Sequence, residues 1–177
     1  MRLTGNDALS LALRTYRDFA AIENKKLRRR LQDRIGDSPL IDQLSAELDH
    51  QGKHLRPALT LASYQIFAES PEINYECLAA AHALEIFHTF VLIHDDVIDR
   101  SEQRRNRPTL HRRIEEQLQV SASTGNHLAI VLGDILFGYA INLLSTPGTD
   151  HDLIGPLQHY LSSVTEDTGL GEAQELT

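Results

Sequence analysis

The sequence has no tryptophan, one methionine and one cysteine, and aromatic residues make up only 6% of it. With Cys77 alone, no internal disulfide framework can form, and this thiol usage fits a reducing compartment. Positive charge is scarce too: 17 Lys and Arg against 25 Asp and Glu leave a formal net charge of −8 at pH 7. That balance argues against general nucleic-acid affinity, so an anionic ligand must be held by local cations or by metal. No uninterrupted run of about 18 apolar residues occurs, and the N-terminus lacks the apolar core of a signal peptide. The expectation is a cytoplasmic protein without a transmembrane segment, although a lipid substrate could still bring it near membranes. Repeats, low-complexity segments, domain linkers and any β pattern are absent as well, so residues 1–177 read as one all-helical domain.

Leu, Ala and Ile supply the core, in helices punctuated by Gly and Pro. Asn6 or Asp7 can cap a first helix running to about Ile35, with Leu9, Leu13, Tyr16, Ala20, Leu27 and Leu31 as its apolar stripe. Its basic run, Lys25, Lys26, Arg28, Arg29 and Arg30, reads as a solvated face, with anion binding the lesser alternative. A second helix spans Leu40 to Leu48, and the connector Asp49–His54 leads to a third, Ala58 to Ala68. Pro57 suits the first turn there, because the amide it lacks would be unpaired anyway. Ser70-Pro71 turns the chain into a central helix, Tyr75 to Asp99, followed by Thr109–Leu118 and Gly125–Leu144. Thr146-Pro147-Gly148 precedes a last helix, Asp150 to Thr168, with Gly169 and Gly171 marking a bend. Asp134 reads as a core polar residue bonded to a neighbour. The tail from Gly171 looks like a helix just begun, so the chain reads as a fragment.

The central helix organises the rest. It is apolar from Ala79 onward and ends in Asp95-Asp96-Val97-Ile98-Asp99. At about 100° per residue, Asp95 and Asp99 stand one turn apart, with His88 on nearly the same line a heptad earlier. Such a pair costs ~0.2–0.5 kcal/mol in water. Partly buried, at ~6 Å and an effective dielectric near ~20, the repulsion approaches ~3 kcal/mol. Something positive belongs between them. Oxygen donors without Cys or His suit Mg²⁺ that keeps waters and also holds phosphate. Arg100, Arg104, Arg105 and Arg107 follow at once, as a diphosphate ligand would require. Upstream, Lys53 and Arg56 flank a helix N-terminus, itself a favourable anion site, and Gly52 permits close backbone approach.

These residues resemble the trans-isoprenyl diphosphate synthases, or polyprenyl synthetases, almost end to end. Gly52-Lys53-His54-Leu55-Arg56-Pro57, Glu85-x-x-His88, the acidic motif, Arg104-Arg105, Pro108-Thr109 and Gly133-Asp134 occur in the family's order and spacing. The resemblance implies an all-α bundle around an apolar cavity, working as a homodimer, that condenses isopentenyl diphosphate with an allylic diphosphate. It implies Asp95 and Asp99 as Mg²⁺ ligands with Asp96 in support. Lys53, Arg56, His88 and Arg105 would hold isopentenyl diphosphate, and Arg104 the allylic partner. His54 stands where the family commonly has Arg, and Asn106 where Gly is common. The family's second aspartate-rich motif and Lys-rich region do not occur before Thr177, so only its N-terminal part is covered.

Product length is read from the fourth and fifth positions before Asp95, Val91 and Phe90. An aromatic there marks short products in the family, such as geranylgeranyl diphosphate; longer polyprenyl products are the alternative. Val91 lies ~40° from Asp95 on the helical wheel and Phe90 ~140° away, so Phe90 must reach the path from its flank. Rival readings are a class I terpene cyclase, which does not need Lys53, Arg56 and Arg105, and a phosphohydrolase using His94. The latter would need further His ligands facing His94, which lies ~100° from the Asp95 face. A third rival is a non-catalytic or truncated subunit.

Overall fold

The computed structural model describes residues 5–49, 52–68, 72–145 and 150–177, and seven helices dominate them. They are α1 (Gly5–Ile35), α2 (Pro39–Leu48), α3 (Leu55–Phe67), α4 (Tyr75–Ile98), α5 (Leu110–Leu118), α6 (Ala122–Leu143) and α7 (His151–Glu175). Side-chain caps explain several boundaries: Ser38, Asn74, Ser121 and Asp150 each accept an otherwise unpaired amide of the first turn. The Ser121 cap starts α6 three residues before Gly125. Helix α1 spans Gly5–Ile35, with Asp7 inside its first turn. Helix α3 begins at Leu55, before Pro57, which still falls among the amides that lack helical partners. The expected turns at Ser70-Pro71 and Thr146-Pro147-Gly148, and the connector residues His50 and Gln51, lie outside the described residues.

The arginine loop and the C-terminal helix differ from expectation. An antiparallel pair, β1 (Gln103–Arg104) with β2 (Arg107–Pro108), stands in the arginine loop, where no β pattern is visible because each strand has only two residues. Arg105 and Asn106 between them have φ of 52° and 61°. Positive φ at both central residues defines the tight turn that matches strand twist, and Asn tolerates it well. Helix α7 then runs unbroken through Gly169 and Gly171, so the tail is its last turns, with no bend and no new helix.

Helices α4 and α6 form the most extensive helix pair. Ala83, Ile86, Phe87 and Ile93 of α4 share one buried cluster with Ala129, Leu132, Leu136 and Ala140 of α6. Each fully buried Leu or Ile is worth ~1.5–3 kcal/mol. Small residues permit the close approach: a Cβ on Gly133 would lie 2.7 Å from His94 Nε2. Asp134 is exposed, 3.5 Å from His94 Nε2, and is therefore not the core residue expected. A second cluster joins Ala12 and Tyr16 of α1 to Leu61 of α3 and to Cys77 and Ala81 of α4. The basic residues of α1 face outward as expected, with Lys26 paired to Glu23 and Arg28 to Asp42. By length and composition α4 and α6 could each cross a bilayer, with mean hydropathies of 1.4 and 1.3. No uninterrupted apolar run marks them, because His, Asp and other polar residues interrupt both helices while the mean stays positive.

Candidate active site

The last turn of α4 separates its three aspartates by role. Asp96 is buried, and its carboxylate accepts a hydrogen bond from Arg104 Nε at 2.8 Å. Asp99 caps the helix and is exposed. Beyond it Arg100 turns left-handed (φ 54°), and the Arg100 and Ser101 amides reach back to Val97 O and Asp96 O. This double closure ends the helix without a glycine. Asp95 is half-buried. Burial pushes its carboxyl up, Asp99 and Glu175 add to the rise, and Arg104 and His94 oppose it.

Glu172 and Glu175, which sequence reasoning missed, belong to this end. Helix α7 carries Glu172 towards the acids: its carboxyl is raised by slight burial and then by Asp95, Glu175 and Asp99. Beneath Asp95 lies a cavity of about 310 Å³ lined by Phe87, Phe90, Val91, Thr168 and Glu172 among others. Val91 and Thr168 also line a second apolar cavity of about 400 Å³, with Arg56, His88 and Tyr160. Phe90 touches the first cavity while packing on His94, Phe137 and Phe87, at ring separations of 4.5, 5.2 and 5.6 Å. His94 turns towards α6, its Nε2 3.3 Å from Ile130 O, which leaves it off the Asp95–Asp99 face.

The cationic end is assembled from three segments. Lys53 and Arg56 at the start of α3, His88 on α4 and Arg105 at the hairpin turn line one pocket of about 530 Å³. His88 reports their convergence: burial, then Arg56, Arg105 and Arg104, hold its imidazole down at about 4. His88 is thus neutral at neutral pH and can donate one ring proton. Gly52 leaves room for this closure: a Cβ there would stand 3.1 Å from Arg105 Nη1, a tight approach that the guanidinium would have to ease. Arg104 and Asp96 line an adjoining pocket of about 60 Å³ that also touches Arg105 and His88. The sequence-derived residues therefore meet as two groups, cationic and acidic, with His88 and Val91 on the apolar path between them.

The acidic end suits a hard divalent cation. Its donors are carboxylate oxygens, and at Asp95 burial raises the carboxyl first, with the neighbouring Asp99 adding to the rise. Among the described residues no three Asp, Glu, His or Cys converge on one point. Mg²⁺ usually takes one or two protein carboxylates and fills the rest with water and phosphate, so Asp95 and Asp99 fit it.

The described residues thus form a helical bundle with an acidic helix end, a cationic pocket and apolar cavities beside both. The chain belongs to the polyprenyl synthetase family, whose sequence model matches residues 38–177. It is 36% identical over 94 residues to a short chain isoprenyl diphosphate synthase of Methanocaldococcus jannaschii, covering 53% of this chain and 25% of that relative. To a geranylgeranyl diphosphate synthase of Sulfolobus acidocaldarius it is 36% identical over 111 residues, 62% of this chain and 30% of that one. It thus spans less than a third of these relatives' length. Its fold matches a geranylgeranyl pyrophosphate synthase of Corynebacterium glutamicum, solved with isoprenyl diphosphate and magnesium, at a TM-score of 0.59 and 25% identity. That match covers 73% of this chain and 40% of the other.

Proposed function

We propose that the protein is a trans-prenyltransferase that joins isopentenyl diphosphate to an allylic diphosphate, acting in the cytoplasm as a homodimer. The observation that carries this is the pairing of two ends: Lys53, Arg56, His88 and Arg105 around one pocket, and Asp95 at an apolar cavity with Asp99 one helical turn beyond it. In this reading the cationic pocket holds the isopentenyl diphosphate headgroup through charge-assisted hydrogen bonds. Asp95 and Asp99 would hold Mg²⁺, which when bound neutralises charge developing on the leaving diphosphate. Arg104, anchored by Asp96, keeps its terminal nitrogens for the allylic headgroup. The apolar walls between α4 and α7 exclude water that would quench an allylic cation. The exposed strip of α6, with Val131 exposed and open space around Gly138, supports pairing with a second copy.

A short product, such as geranylgeranyl diphosphate, is supported by Phe90, whose ring reaches the cavity below Asp95 from the flank. The test extends farnesyl diphosphate with isopentenyl diphosphate and Mg²⁺, and sizes the products. Chains stopping at geranylgeranyl length, and lengthening in Phe90→Ala, are expected. Long chains from wild type and variant alike would make Phe90 core packing only and favour the polyprenyl alternative. Phosphate release without chain extension would refute the prenyltransferase reading.

A further inference from the structure

Among the described residues lining the 530 Å³ cationic pocket, Glu85 is the only acid. A diphosphate entering there meets a carboxylate that repels it, unless something offsets that charge. His54 is the nearest candidate. Its Nδ1 lies 3.7 Å from Glu85 Oε1, beyond hydrogen-bond reach. His54 Nδ1 and Glu85 Oε2 are both buried without a hydrogen-bond partner. Buried polar atoms without partners are costly, and a small closure with one proton would give His54 Nδ1 a partner in the Glu85 carboxylate.

The ring of His54 is held in place for this. Its backbone is left-handed (φ 48°) just before α3, and Tyr16 stands edge-on to it at 5.6 Å. Tyr16 OH lies 3.4 Å from His82 Nδ1, and His82 Nε2 lies 3.2 Å from Asn24 Oδ1. Around His54 stand Tyr16 and Arg17 of α1, His82, Glu85 and His88 of α4, Arg105 of the hairpin, and its own neighbours Lys53 and Arg56. Burial lowers the His54 pKa, Glu85 opposes this and Arg17 adds to it, so the imidazole is neutral at neutral pH. An anion in the pocket adds negative potential and favours the protonated form.

We propose that His54 and Glu85 form a proton-linked clasp for the diphosphate. Binding draws a proton from solvent onto His54, whose Nδ1 closes on Glu85 and cancels that carboxylate's repulsion of the ligand. This rests on reading the pocket as a diphosphate site. The test is calorimetric titration of inorganic pyrophosphate, without metal, in two buffers of different protonation enthalpy. Wild type should take up more protons per pyrophosphate than His54→Gln; the ligand's own titration cancels in that difference. His54→Arg carries a charge that does not titrate. It should bind at pH 8 about tenfold more tightly than His54→Gln and show no such uptake. Glu85→Gln should also lose the uptake while keeping its affinity, which covers the case of a His54 variant that fails to fold. Equal proton uptake in wild type, His54→Gln and Glu85→Gln would overturn the clasp, as would His54→Arg binding no better than His54→Gln. Failure of wild type to bind pyrophosphate at all would instead overturn the diphosphate reading of the pocket, and the clasp with it.

Discussion

The two ends of the site are built differently. Asp95 and Asp99 stand on one continuous helix, where a four-residue spacing alone sets their separation. The cationic pocket draws on α3, α4 and a hairpin, and depends on left-handed backbone at His54 and Arg105. A site on one helix survives losing a charge. A site assembled from three segments depends on every segment that brings a residue to it.

That contrast breaks first at the acidic end. Asp95→Ala or Asp99→Ala should lower turnover by about 10³-fold, the scale of losing preorganised charge stabilisation, with the melting temperature held. Removing one of two repelled charges leaves the helix intact, and near-normal turnover at limiting Mg²⁺ in both variants would discard the metal assignment. The cationic end is expected to respond in KM. Lys53→Ala and Arg105→Ala should raise the KM for isopentenyl diphosphate about 10- to 100-fold more than that for the allylic partner. Arg104→Ala should do the reverse. Equal shifts for both substrates in all three variants would erase the division.

The acidic end can be read from sequence because a helix converts spacing into direction without any tertiary information. The same holds for helices α2 and α4, whose punctuation by Pro39 and by the final aspartates is local. Glu172 and Glu175 were illegible for the opposite reason. They come near enough to influence Asp95 only when α7 returns past α4, a proximity across more than seventy residues that no local pattern encodes. The hairpin escaped notice because two-residue strands are too short to alternate, and its turn conformation sits on Arg-Asn without a glycine. The His54–Glu85 contact depends on how α1 wedges Tyr16 against α3, which is again tertiary.

Smaller effects sharpen the comparison through the scaffold. Gly133→Ala would set a Cβ 2.7 Å from His94 Nε2 and 2.8 Å from His94 Cδ2, beside Asp95. We expect ~1–3 kcal/mol of destabilisation, the range for overpacking, read from urea unfolding. A wild-type midpoint would show that His94 swings away freely. Beneath the cationic end, burial holds His82 at about 4, against an ordinary value of 6.5. The unfolded chain therefore binds the proton that the folded one refuses between those values. Stability is full above pH 6.5 and falls as pH drops towards 4, by ~1–3 kcal/mol. His82→Gln should flatten that slope in urea titrations at successive pH values, and an unchanged slope would assign the acid sensitivity elsewhere.

The most direct test of two separate ends is to titrate inorganic pyrophosphate with and without Mg²⁺ into wild type, Asp95→Asn and Arg105→Ala. The account predicts metal-free binding that Arg105→Ala loses and Asp95→Asn keeps. It also predicts additional Mg²⁺-dependent binding that Asp95→Asn loses and Arg105→Ala keeps. Loss of both kinds of binding in either variant would mean a single shared site, and would contradict the account.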